Sequence, residues 1–174
     1  MKKWKKLSSK TLLTHPRLNV YEDEVELPTG HRTKYLHFGH NGDAAQIIAI
    51  NNMGEVLIQK EYSYPPNEWL FQLPGGGLKK DENPKTGAQR ELIEEANICG
   101  SLTQIGWFYV DNRRKTDRFY VFTAKNLKTI DGVKDLEEEF EYSWFSPSQI
   151  DTMIKTGKIK NYSILAAWSL FKSQ

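Results

Sequence analysis

Apolar and polar positions alternate along residues 18–38, with Val20, Tyr21, Val25 and Leu27 before Pro28-Thr29-Gly30 and Tyr35, Leu36 and Phe38 after it. A period of two sends successive side chains to opposite faces, and Pro and Gly supply the bend, so a β-hairpin is predicted. Residues 45–50 and 56–64 read as a second strand pair around Asn51-Asn52-Met53-Gly54-Glu55, where Asn and Gly accept positive φ. Further strands are predicted at residues 69–73, 102–110, 118–124 and 140–145.

Helical spacing replaces the alternation at Asn83-Pro84, an N-cap followed by a proline whose missing N–H costs nothing at the first helical position. That helix is predicted to run to about Ala96. Ser146-Pro147-Ser148-Gln149 has the form of a capping box opening a second helix, and residues 163–171 read as a last amphipathic helix. Trp69, Trp107, Trp144 and Trp168 read as core. Several strands alternating with two or three helices, with no internal repeat, predict an α+β fold of the α/β/α sandwich kind.

Composition narrows the class. At 174 residues and 39% hydrophobic, one domain with its own core is expected, and a disordered chain is excluded. The 24 Lys and Arg nearly balance the 22 Asp and Glu, which argues against a nucleic-acid-binding surface. The longest apolar run, Ile47-Ile48-Ala49-Ile50, falls far short of the roughly 20 residues that span a bilayer. Cys99 is alone and cannot close an intrachain disulfide, and the basic Met1–Lys6 segment lacks the apolar run of a secretory signal. A cytoplasmic protein is expected.

The first helix carries the chemistry. Glu91, Glu94 and Glu95 occupy positions i, i+3 and i+4, so they share one arc while Ala88, Leu92, Ile93 and Ala96 share another. Arg90 can pair with Glu94 one turn on. Like charges a turn apart repel by roughly a few tenths of a kcal/mol, a cost removed by a hard divalent cation between them. Oxygen-only ligands favour Mg²⁺, Mn²⁺ or Ca²⁺ over Zn²⁺. Just upstream, Leu73-Pro74-Gly75-Gly76-Gly77-Leu78 follows a strand, and three bare Cα atoms let a ligand approach the backbone.

The spacing of these residues is specific. Gly76, Glu82, Arg90-Glu91-Leu92, Glu94-Glu95 and Ile98 together span 23 residues, too long a coincidence for chance. The pattern resembles the Nudix box; its one departure, Asn97 in place of the usual Gly, preserves the left-handed cap because Asn tolerates αL. The resemblance implies an α/β/α sandwich hydrolase that cleaves a nucleoside diphosphate linked to another moiety with Mg²⁺ or Mn²⁺. It puts metal ligands at Glu91, Glu94, Glu95 and the carbonyl of Gly75, and places Glu82 and Arg90 behind them as orienting groups.

Beyond the box, the sequence is similar to ADP-ribose and nucleoside-diphosphate-sugar pyrophosphatases. The hairpin at residues 18–38 resembles the arm these enzymes exchange across a homodimer, giving an arm at 1–40 and a catalytic region at 41–174. Residues 56–65 and 69–74 match the segment leading into their box, and Gly157-Lys158-Ile159-Lys160-Asn161 with the following helix resembles their C-terminal segment. The acidic run Asp135-Leu136-Glu137-Glu138-Glu139-Phe140-Glu141 falls where they carry a catalytic loop glutamate. Glu139 is the expected residue, with Glu138 in reserve, because an attacking water needs a base on a segment that can close.

Departures bear on the substrate. Ser63 stands where these enzymes commonly carry arginine, Glu61 where glutamine is usual, and Asn112 where ADP-ribose hydrolases tend to have proline. Arg113, Arg114, Lys115 and Arg118 follow, and their cations could bind the phosphate that a serine at position 63 cannot. His37 and His40, three apart on a strand, point to opposite faces and are poor joint ligands; Tyr21 or Tyr35 could stack a base.

A small-molecule nucleotide sugar, cleaved to a nucleoside monophosphate and a sugar phosphate by a Mg²⁺-dependent homodimer, is therefore the leading expectation. Nucleoside triphosphates, dinucleoside polyphosphates or capped RNA are the enzymatic alternatives. A non-catalytic nucleotide-sugar sensor is the other. Nine of the 22 acids lie in the box and the acidic run, so near-neutrality conceals a divided charge map.

Overall fold

The computed structural model describes residues 2–40, 42–130 and 141–174. The chain divides into two compact units, Met1–Gly42 with Tyr109–Arg118, and Asp43–Phe108 with Phe119–Gln174.

The first unit is a three-stranded antiparallel sheet, β1 (Lys5–Leu13), β2 (Val20–Glu26) and β3 (Arg32–Phe38), in that order. The hairpin of β2 and β3 turns where Pro28-Thr29-Gly30 predicts it, closed by Leu27 N–H to His31 O at 2.8 Å with Gly30 at φ 83°. Strand β1 has no counterpart in the sequence pattern, because it is almost wholly exposed and has no buried face to impose alternation. Pairing with β2 holds it instead: Lys6 and Ser9 both reach the buried carboxylate of Asp23, which sits below the usual carboxylate range despite its burial. The segment at 109–118 joins this sheet, with Phe38 N–H on Arg114 O at 2.8 Å and Arg114 Nη1 on Leu36 O at 2.8 Å.

The second unit holds two sheets. One runs β7 (Gly75–Gly77), β4 (Ala44–Ala49), β9 (Arg118–Thr129), β8 (Ile98–Tyr109); the other runs β10 (Glu141–Phe145), β5 (Val56–Ser63), β6 (Glu68–Gln72). Strand β4 is antiparallel to β7 and parallel to β9, so the sheet is mixed. Helices α1 (Pro84–Ala96), α2 (Pro147–Lys155) and α3 (Tyr162–Lys172) complete the unit.

Strand alternation explains the layering. Ala45, Ile47, Ala49, Leu57, Phe122 and Ala124 join Ala88 and Leu92 of α1 in one core cluster. Their neighbours Ile48, Val56, Ile58 and Val121 join Ile150 and Met153 of α2 and Ile164, Ala167 and Trp168 of α3 in another. Helices thus cover both faces of strands buried on both sides, the sandwich expected.

Two expectations need correction. The turn at residues 51–55 forms, with Asn51 N–H on Glu55 O at 2.9 Å, yet β4 and β5 are not a strand pair; one bridge, Ile50 with Val56, links them before they enter different sheets. Both edges of β4 are already taken, by β7 and β9, so β5 finds its ladder with β6 and β10. Of the four tryptophans read as core, Trp168 is buried, whereas Trp69, Trp107 and Trp144 are 51%, 43% and 36% exposed. Trp69 packs across the ladder against Tyr62 and under Lys60, using its ring on a wet face.

Candidate active site

Helix α1 begins as its cap predicts, with Asn83 accepting from Lys85 N–H and Pro84 inside the first turn. It ends on Asn97 at φ 54°, ψ 37°, the left-handed cap, with its N–H returned to Leu92 O and Ile93 O. The interval between fixes where the acids fall, and they are not equivalent. The side chain of Glu94 is 45% exposed and that of Glu91 12%, while Glu95 is buried. Ile93, expected on the core arc, is outside the core cluster, and Glu95 turns inward beside Leu92.

Glu95 is held from two sides. Gly75 N–H donates to Oε2 at 2.8 Å, and Gln59 Nε2 lies 3.5 Å from Oε1. Tyr142 O–H donates to the Glu95 carbonyl, tying β10 to the last turn of α1. In the ladders Gln59 sits opposite both Gln72 and Tyr142, so β5 centres this support.

Arg90 organises the others. Its Nε and Nη2 clasp both oxygens of Glu82 at 3.1 and 3.0 Å, Nη1 reaches Glu91 at 2.6 Å and Glu94 at 2.7 Å, and Nη2 also meets Gly77 O at 3.0 Å. One guanidinium therefore ties three carboxylates of the box to the glycine strand. Glu82, which also accepts from Lys79 N–H at 2.8 Å, is held down at about 2, chiefly by Arg90, and Arg90 is correspondingly raised.

The glycines leave the room this arrangement needs. Gly75, at φ 147°, lies so close to β4 that a Cβ there would run into Ala45 O. A Cβ on Gly76 would lie 2.5 Å from Glu91 Oε2.

Among the described residues no group of three or more His, Cys, Asp or Glu side chains converges as it stands on a metal-sized point. The donor chemistry nevertheless fits a hard divalent cation: Glu91, Glu94 and Glu95 offer only oxygen, and bare Gly76 leaves Glu91 approachable.

The other candidates lie elsewhere. Glu139 falls outside the described residues. Arg113 and Arg114 belong to the first unit, where they line a cavity of about 290 Å³ with Tyr35, His37 and Lys115. Tyr35 O–H donates to Arg113 O at 2.5 Å, and its ring lies under the Arg114 guanidinium; Tyr21 stacks on His37. Arg118 is exposed at the start of β9. His37 and His40 each meet a different carboxylate, Asp23 at 3.0 Å and Asp117 at 2.7 Å. Sequence reasoning missed Gln59 and Tyr142. A glutamine directly after the apolar run Val56-Leu57-Ile58 is the signal that could have found the first.

Fold and box define the class. Residues 40–168 match the family model described as NUDIX domain, so the chain belongs to the Nudix family, hydrolases of phosphorus-containing acid anhydrides that generally need a divalent metal. Residues 4–35 match the nucleoside diphosphate sugar hydrolase N-terminal domain. The chain is 28% identical over 136 residues to an ADP-ribose pyrophosphatase of Bacillus subtilis (strain 168), covering 78% of this chain and 73% of that protein. It is 30% identical over 118 residues to a methanol dehydrogenase activator of Bacillus methanolicus, covering 67% of this chain and 63% of the relative. A solved structure described as an ADP compounds hydrolase superposes with a TM-score of 0.91 at 17% identity, over 99% of this chain and 94% of that one, a likeness of fold.

No helix among the described residues is long and apolar enough to cross a membrane.

Proposed function

We propose that this Nudix protein hydrolyses the diphosphate of nucleoside diphosphate sugars, ADP-ribose among the candidates, to a nucleoside monophosphate and a sugar phosphate. One observation carries the reading: the box acids are packed against the glycine strand and organised by Arg90. The family model over residues 4–35 and the ADP-ribose pyrophosphatase relative support the substrate class.

In this reading Glu91, Glu94, Glu95 and the Gly75 carbonyl hold Mg²⁺ or Mn²⁺. The bound cation would polarise the phosphoryl oxygens and lower the pKa of water. The chain's own residues prepare the ground. Gly75 N–H and Gln59 orient Glu95, and Arg90 holds Glu91 and Glu94 against their mutual repulsion. Arg90 binds Glu82 through both oxygens, so its guanidinium is anchored in one plane. Glu139 serves as the base that takes the proton of the attacking water, with Glu94, the most exposed box acid, beside the reacting groups. Arg113, Arg114 and Arg118 bind substrate phosphate, and the arm at 1–40 joins two protomers around the catalytic region at 41–174 in the cytoplasm.

A Mg²⁺-supplemented panel of nucleotide sugars, triphosphates and dinucleotides, with products read by mass spectrometry, tests the proposal. Sugar phosphate plus nucleoside monophosphate is the expected pair, abolished by chelator. Pyrophosphate from a triphosphate as the main product would replace it with the triphosphate reading, and binding without turnover with a sensor.

A further inference from the structure

One face of the β5–β6 ladder carries polar groups beyond Gln59, the one that serves the box. Opposed residues of an antiparallel pair share a face, and alternate residues along a strand return to it. The pairs Gln59 with Gln72 and Glu61 with Leu70 therefore put Gln59, Glu61 and Gln72 on one face. Leu57, two residues earlier on that face, lies in the core beneath α1, and Gln59 reaches Glu95. The face runs from the α1 core, past the box, to Glu61.

Its polar atoms are unevenly satisfied. Gln72 Nε2 donates to Glu61 Oε2 at 2.7 Å, and the oxygen of the same amide accepts from Asn161 Nδ2 at 3.5 Å, so its orientation is set at both ends. Glu61 Oε1 has no donor among the described residues. Gln59 Oε1 has none either, although Gln59 is 2% exposed. Flipping Gln59 would not help, because its oxygen would then face the Glu95 carboxylate. Among the described residues no cation offsets Glu61, whose carboxyl burial pushes up.

A half-buried carboxyl with no counter-charge among the described residues, on the same face as a buried amide oxygen without a donor among them, costs stability that folding does not recover. On a face that leads to the box, a carboxylate oriented by Gln72 with its other oxygen open to solvent points to a ligand bearing O–H or N–H donors. A glutamine at position 61 would bring donors of its own; an ionised carboxylate brings acceptors only.

We propose that Glu61, clamped by Gln72, accepts hydrogen bonds from hydroxyls of the substrate's sugar moiety. This makes Glu61 a specificity-determining residue that favours a nucleoside diphosphate sugar over a diphosphate ester without hydroxyls. The assignment rests on the nucleotide-sugar reading above.

The test compares wild type, Glu61→Ala and Glu61→Gln on ADP-ribose, ADP-glucose and the methyl ester of ADP, the last scored as substrate or as competitive inhibitor. Glu61→Ala is expected to lose about 10- to 100-fold in kcat/KM on the sugars, as for a hydrogen bond to a charged group, with less than about 3-fold change for the methyl ester. Glu61→Gln retains an acceptor and is expected to lose less, with an unfolding midpoint at or above wild type because a buried charge is gone. Equal losses on sugars and methyl ester, with wild type active on the sugars, overturn the Glu61 assignment alone. Wild type inactive on every nucleotide sugar overturns the proposed function, and the assignment with it.

Discussion

Gly75 N–H donates to Glu95 Oε2 at 2.8 Å, joining the first residue of β7 to the last turn of α1. The bond fixes a carboxylate that helix geometry alone would leave free to rotate. Because Gly75 is also the proposed carbonyl ligand, one residue positions the acid through its N–H and would offer a cation its carbonyl oxygen.

Glu95→Gln keeps an acceptor for the Gly75 N–H and loses the charge. Turnover is expected to fall by about 1000-fold or more, several kcal/mol of lost charge stabilisation, while the unfolding midpoint stays near wild type. Steady-state rates on nucleotide sugars beside a thermal melt check this; undiminished turnover would remove Glu95 from the site.

Acid titration reports on Glu82. Arg90 and Lys79 N–H lower its folded pKa to about 2 from an ordinary 4.5, so its stabilising contribution is complete above pH 4.5 and is lost as pH falls toward 2. Glu82→Gln is therefore expected to melt below wild type at pH 6, with the gap closing between pH 4.5 and 2. A gap independent of pH would mean that ionisation of Glu82 is not its source.

Arg90→Lys keeps the charge and loses the fork. A single ammonium cannot meet Glu82, Glu91, Glu94 and Gly77 O together. Denaturant unfolding is expected to show a loss of about 1–3 kcal/mol, and Mn²⁺ titration about 10- to 100-fold weaker binding. Wild-type values in both would show that charge without geometry suffices.

Alanine at the two site glycines should separate function from folding. The Cβ of Gly76→Ala meets a movable carboxylate, that of Glu91, so the expected cost is about 100-fold in turnover with a modest change in stability. The Cβ of Gly75→Ala meets the backbone of β4 at a left-handed φ, so folding itself is expected to suffer. Parallel melts and rates of the two variants distinguish these outcomes; equal damage to folding in both would deny Glu91 its freedom to move.

Short-range physics made much of this legible in advance. Asn83-Pro84 and Asn97 bracket α1 because caps act over three or four residues, and Ser146 closes its capping box with Gln149 for the same reason. The i, i+3, i+4 spacing put the acids on neighbouring turns. It could not say that Glu95 would be buried while Glu94 stays half exposed, because that depends on which strand edge α1 lies against. Strand β1 was invisible since its stability comes from β2, and the β4–β5 pairing misled because local turn chemistry was right while the free edges of β4 went elsewhere.

By itself, then, the sequence determined the caps, the turns, the two-faced strands and the order of acids and glycines that identifies the box, all encoded within a few residues of each other. Tertiary structure alone decided that Arg90 reaches Glu82 and Gly77 O beyond its own helix, that Gly75 holds Glu95, and that Gln59, Glu61 and Gln72 share a face leading to it. Those relations join residues on different elements, and strand register and helix docking, which follow from burying the whole core at once, bring them together.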